Sequence, residues 1–122
     1  VFTIKQKVLE LKEKADMLYK EGKYEDAINY YTQVLSIEPD NFVCYANRAC
    51  CYLTALKAGS CINDCTHIIQ NIHQHESWKK HAGRLMLKSY LRRGAALYSL
   101  GDYKLAYEDY ESATRMAPND QD

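Results

Sequence analysis

Two groups of residues in this 122-residue chain have types and spacings that could do chemistry. The first is cysteine with histidine. Cys61 and Cys65 stand four apart, and His67, His73, His75 and His81 follow. A Cys-x-x-x-Cys pair with nearby His could hold zinc or act as a redox pair. That spacing is not a standard zinc spacing, and no C-x-x-C pair is present. The plainer role for such cysteines is that of small buried hydrophobes. The second is two pairs of charged residues, Lys12 with Asp16 and Lys88 with Arg92. Each charged pair is four residues apart and shares one helix face. Taken singly, such charges read as ordinary solvated surface. No G-x-S-x-G, phosphate loop or H-E-x-x-H is found, so no enzyme chemistry is expected. Glu108, Asp109 and Glu111 read as a solvated outer helix face rather than a catalytic set.

The elements that must position these residues follow from a pattern that occurs three times. Ala15, Ala27, Tyr31 and Pro39 are spaced by twelve, four and eight residues. Ala49, Cys61 and Cys65 repeat the first two spacings 34 residues on, and Gly94, Ala106, Tyr110 and Pro118 repeat all three another 45 on. A period of 34, with small residues where helices must touch, is the signature of the tetratricopeptide repeat, or TPR. It predicts an all-α fold: three helix-turn-helix repeats, about 8–41, 42–75 and 87–120, stacked as a right-handed superhelical solenoid. The predicted helices run from about Gln6 to Lys20, Tyr24 to Ile37, Phe42 to Ala55, Gly59 to Ile72, Ala82 to Leu100 and Tyr103 to Met116. Gly22 and Gly101 mark turns, and Glu38-Pro39-Asp40-Asn41 combines a stop, a turn and an N-cap. Ala117-Pro118-Asn119-Asp120 echoes that stop. Tyr31 and Tyr110 are expected to fill the space between neighbouring hairpins.

The step from Ala49 to Gly94 exceeds the period by 11 residues, which places an insertion at about 72–83. A polar loop flanked by longer helices is expected there. Trp78, the one tryptophan, falls inside it and is expected to close that loop onto the scaffold or to stand out as an anchor for a partner.

Composition limits the partners. Sixteen Lys+Arg balance sixteen Asp+Glu, so no bulk charge points to nucleic acid or membrane. No apolar run is long enough to span a bilayer, and no signal peptide is visible. Five cysteines, an odd count, fit a reduced, cytoplasmic protein better than a disulfide scaffold. No cofactor and no metal are expected. The single domain 1–122 reads as part of a longer protein, because no polar-faced capping helix follows the third repeat.

Beyond the repeat itself, the chain resembles the TPR domains of Hsp70- and Hsp90-binding co-chaperones. Leu11-Lys12-Glu13-Lys14-Ala15-Asp16 matches four of six places of that family's first-helix L-K-E-K-G-N. Tyr45-Ala46-Asn47-Arg48-Ala49 matches its Y-x-N-R-A, and Lys88, Arg92, Arg93 and Gly94 match its third-repeat pattern. The resemblance implies a dicarboxylate clamp for the C-terminal Glu-Glu-Val-Asp peptide of the chaperone. It would be formed by Lys12, Asn47, Lys88 and Arg92, with Asp16 in the fifth place. Asp16 departs from the family, which has Asn there as a donor. An ionised Asp only accepts. It would repel the peptide or pair with Lys12, so weaker binding of the usual tail, or a preference for another, is expected. The insertion, with Arg84-Leu85-Met86-Leu87-Lys88 and Arg92-Arg93-Gly94, also resembles the TPR domain of an axonemal dynein assembly factor, which implies a role in dynein-arm preassembly and contacts with other assembly factors. The alternatives are a scaffold that binds a folded partner through its convex face or insertion, and the zinc or redox module.

Overall fold

A computed structural model describes residues 3–117. The Pro118-Asn119-Asp120 stop therefore lies outside the described residues. Among the described residues six α-helices follow one another: α1 (Ile4–Lys20), α2 (Tyr24–Ile37), α3 (Phe42–Thr54), α4 (Ala58–Asn71), α5 (Lys79–Ser99) and α6 (Tyr103–Met116). They form three hairpins, α1–α2, α3–α4 and α5–α6, each packed on the next. No strand occurs among the described residues.

Local chemistry sets the ends. The α1 helix starts two residues before the expected Gln6, because Thr3 and Gln6 form a reciprocal capping box. Thr3 Oγ1 accepts from the Gln6 N–H at 3.1 Å, and Gln6 Oε1 accepts from the Thr3 N–H at 2.8 Å. Asn41 caps α3 through its Oδ1 to the Cys44 N–H. The first helix of every hairpin ends in the same motif. Gly22 and Lys23 donate back to Tyr19 and Leu18, Leu56 and Lys57 to Leu53 and Tyr52, and Gly101 and Asp102 to Tyr98 and Leu97. This closure requires a left-handed residue. Gly22 and Gly101 take φ of 78° and 83°, and Leu56 takes 63° in the equivalent place.

The insertion is not an open polar loop. Two short 3₁₀ turns, Ile72–Gln74 and Glu76–Trp78, run directly into α5, which is 21 residues long. Ile72, Ala82 and Leu85 are buried with Phe42, Ala46 and Ile68, and Trp78 packs edge-on against Phe42 at 5.5 Å. Trp78 is half-buried there.

Small residues sit where helices approach. Ala15, Ala27, Ala49, Cys61 and Cys65 are fully buried. A Cβ on Gly94 would come within 2.8 Å of the Tyr110 ring, so the α5–α6 contact has room only for hydrogen. Tyr110 itself differs from its expected role. Tyr31 is buried between the first two hairpins, but Tyr110 is 37% exposed, with its ring lying over Gly94 inside its own hairpin.

Two buried ion pairs fix the stacking. Arg48 binds Asp64 with two bonds, 2.8 and 2.7 Å, and its Nη1 donates to Thr32 of the preceding hairpin at 3.1 Å. Arg93 binds Asp109 at 2.8 Å twice, and reaches Thr66 of the preceding hairpin at 3.1 Å. Asp109 is thus a correction to the solvated-face reading: its side chain is 7% exposed. Glu108 and Glu111 are exposed. In the first hairpin the equivalent residues are Lys14 and Tyr30, and the ammonium lies 5.6 Å from the ring centre. Removing either arginine leaves a buried carboxylate without its partner, which costs up to about 3–5 kcal/mol.

Leu56 holds a left-handed backbone while 90% exposed. That conformation costs a residue with a Cβ about 1–2 kcal/mol. Leu56→Gly is therefore expected to raise stability by about 1 kcal/mol, measured as an upward shift of the urea midpoint.

Candidate peptide-binding groove

The sequence-selected residues all lie on the first helices of the hairpins: Lys12 and Asp16 on α1, Asn47 on α3, Lys88 and Arg92 on α5. The repeat stacks these three helices in order, so one row of side chains can pass from hairpin to hairpin.

Lys12 Nζ contacts Asp16 Oδ2 at 3.1 Å, with both side chains about a third exposed. The other Asp16 oxygen, Oδ1, accepts the Tyr31 hydroxyl from α2. Burial, and then the bond to Asp16, push the Tyr31 hydroxyl well above the ordinary tyrosine range. Asp16 is thus a doubly held acceptor, and it ties up the Lys12 charge.

On the far side, Arg92 Nη1 donates to the Ala46 carbonyl of α3 at 2.8 Å, one residue before Asn47. Its guanidinium is thereby fixed across the gap between the second and third hairpins. Burial pushes the Cys51 thiol up to about 11, with Cys50 adding to the rise, Arg92 opposing it and Asp16 adding to it. Asp16 and Arg92 therefore act on the same sulfur of α3 with opposite sign. Burial also pushes Cys44 up to about 12, with Lys12 opposing and Asp16 adding. Asn47, next to the carbonyl that Arg92 holds, is half-buried and makes no side-chain hydrogen bond among the described residues. Lys88 is exposed one turn before Arg92 and has no ion pair among the described residues. Cys50 of α3 shares a hydrogen bond of 3.2 Å with the Tyr19 hydroxyl, which that bond, together with burial, pushes up to about 12.

The cysteine pair lies elsewhere. Cys61 and Cys65 are fully buried, their sulfurs 4.0 Å apart, with Cys61 Sγ 3.8 Å from the Arg92 carbonyl oxygen. The bond with Cys61, and burial, push the Cys65 thiol up. His67 stacks on the Tyr45 and Phe42 rings. No group of three metal-ligating side chains occurs among the described residues, and none of the described helices is long and apolar enough to cross a membrane.

Two contacts of these residues escaped the sequence reading. Tyr31 reads there as filler, and nothing in its spacing signals a bond to Asp16. The Arg92 bond to a backbone carbonyl is likewise invisible in residue types.

The tetratricopeptide repeat model matches residues 6–41 and 87–120, more than half of the chain. The chain belongs to the tetratricopeptide repeat family. It is 35% identical over 113 residues to serine/threonine-protein phosphatase 5 of Rattus norvegicus, covering 93% of this chain and 20% of that protein. The chain thus spans about a fifth of that relative's length. Among solved structures, the first TPR of Spaghetti (RPAP3) bound to the HSP90 peptide SRMEEVD is 35% identical, with a TM-score of 0.77, over 94% of this chain and 82% of that one. The second TPR domain of human RPAP3, in complex with the HSP70 peptide SGPTIEEVD, is 32% identical, with a TM-score of 0.74, over 93% and 85%. This TPR chain therefore shares its architecture with domains solved with chaperone-tail peptides.

Tyr31→Phe removes one donor from Asp16 and keeps the ring. It is expected to cost about 1.5 kcal/mol in chemical denaturation, the lower end for a hydrogen bond to a charged group.

Proposed function

We propose that this TPR domain is a non-catalytic, co-chaperone-like module that binds the acidic C-terminal peptide of Hsp90 or Hsp70 along its inner helices. The observation that carries the reading is the Arg92 bond to Ala46, which holds a third-hairpin cation beside Asn47. With Lys88 free one turn away and Lys12 on α1, donors border the groove on both sides. A chain end offers two carboxylates, its own and that of a terminal Asp, and charge-assisted bonds to both give energy and register. The two RPAP3 domains, solved with peptides ending in Glu-Glu-Val-Asp, support the same ligand. The likeness to the phosphatase covers only a fifth of that protein's length.

Asp16 tunes this site. It neutralises Lys12 and presents negative charge where a donor would serve the ligand better. The module then binds tails more weakly than the donor set alone would allow, and selects ligands that contact α5 strongly. We further place it in the cytoplasm, in dynein-arm preassembly, on the basis of the insertion and the Arg84–Gly94 resemblance.

Calorimetric titration with a peptide ending in Glu-Glu-Val-Asp tests the reading. Lys88→Ala, at an exposed position, is expected to weaken binding about tenfold with an unchanged melting curve, while Asp16→Asn tightens it by about 1–3 kcal/mol. Unchanged affinity in both variants would contradict the groove assignment.

A further inference from the structure

In the repeat register the residue equivalent to Phe42, the first of α3, is Leu87. The α5 helix begins at Lys79 instead, so residues 79–86 add about two turns, roughly 12 Å, upstream of the ordinary helix start. This extension carries Lys79, Lys80, His81 and Arg84, all exposed and none paired with an acid among the described residues. The chain as a whole is neutral, so the cluster is a local concentration of charge. At 100° per residue, His81, Arg84, Lys88 and Arg92 fall within about 80° of arc, beside the buried Leu85–Ser89 side. The cationic stripe of Arg84, Lys88 and Arg92, with His81 on the same arc, is therefore continuous with the groove.

A cleft opens at the same end. Val43, Ser77, Trp78, His81 and Arg84 line about 440 Å³. Val43 precedes Asn47 by one turn on α3, and Arg84 precedes Lys88 by one turn on α5. The cleft is thus the next step along both walls of the groove. Its floor is the half-buried Trp78 ring, held edge-on by Phe42. Cations in a first helical turn oppose the helix dipole, so helix stability does not account for Lys79 and Lys80.

The geometry points to an extended binding track, particular to this chain's insertion, for an acidic segment upstream of the ligand's last five residues. The inference rests on the groove reading above. The ligand chain runs along α5 toward its N-terminus. Its acidic side chains lie over Lys80, His81 and Arg84, and an apolar side chain enters the cleft at Val43 and Trp78. The ligand's last five residues fill the groove as far as Lys88; from Lys88 back to Lys80 is eight residues, about 12 Å of helix, which three or four further residues of extended peptide span. The acids recognised are therefore those some six to nine residues before the carboxyl terminus.

Three synthetic peptides test this: Met-Glu-Glu-Val-Asp alone, the same five residues preceded by an Asp/Glu-rich stretch with one Leu, and the same five preceded by Gly and Ser. They are titrated into the wild-type chain and into Lys80→Ala/Arg84→Ala, which leaves the groove residues intact. On wild type at low salt the acidic extension is expected to bind about fivefold tighter than the Gly/Ser one, the gain of two exposed ion pairs. The gain disappears in the double variant, and the five-residue peptide binds both proteins equally. Trp78 fluorescence, the chain's only tryptophan signal, shifts with the acidic extension and not with the short peptide. Equal binding of the two extended peptides to wild type, or a gain that survives the double substitution, overturns the track while leaving the groove standing. A five-residue peptide that binds nowhere overturns both.

Discussion

The groove depends on two arginines, each paired with an aspartate of its own hairpin, that tie successive hairpins together. Arg48 and Arg93 each grip an Asp of their own hairpin with two bonds and a Thr of the hairpin before with a third. The planar guanidinium makes this possible, since its donors sit in a fixed fork and serve two partners at set angles. The result is a stacking register that repeats from one interface to the next. Without it, small residues such as Ala49 and Gly94 would permit close approach and leave the helices free to slide. With it, Asn47 and Arg92, each next to a gripping Arg in sequence, are delivered to the same side of the array.

Asp16 is where folding and ligand binding compete for one charge. Tyr31 and Lys12 satisfy it, and that satisfaction helps close the first hairpin. The same contacts take a cation away from any carboxylate in the groove. The third hairpin shows the opposite arrangement: Arg92 is tethered through a neutral carbonyl, which orients it and leaves its charge unneutralised. Binding strength therefore shifts toward α5, which is also the helix lengthened by the insertion. The asymmetry between the two ends of the groove follows from one residue type on α1 and eleven additional residues that lengthen the path into α5.

Much of the fold was legible because helical repeats write their contacts at fixed spacing. Ala15, Ala49 and Gly94 announced the close approaches, and Gly22 and Gly101 the turns. Leu56 hid the middle turn, since its left-handed backbone is imposed by the closing hydrogen bonds and not by residue preference. Asp109 looked like surface because its neighbours Glu108 and Glu111 are surface, and its partner Arg93 lies sixteen residues away with no local sign of pairing. The insertion read as a loop because its polar residues outnumber the apolar ones. Ile72, Ala82 and Leu85 were enough to fold it against Phe42. For the site, the positions of Lys12, Asn47, Lys88 and Arg92 came from motif resemblance, while the bonds that orient them came only from coordinates.

The central claim is that cations of the first and third hairpins receive the carboxyl end of an acidic peptide. Amide shift mapping by NMR tests it most directly, with one peptide ending in Glu-Glu-Val-Asp as the free acid and the same peptide amidated at its terminus. The account predicts shifts at Lys12, Asn47, Lys88 and Arg92 with the free acid, and binding weaker by about tenfold with the amide, the loss of one charged hydrogen-bonding group. Equal affinity for the two peptides, or shifts confined to α2, α4 and α6, would contradict it.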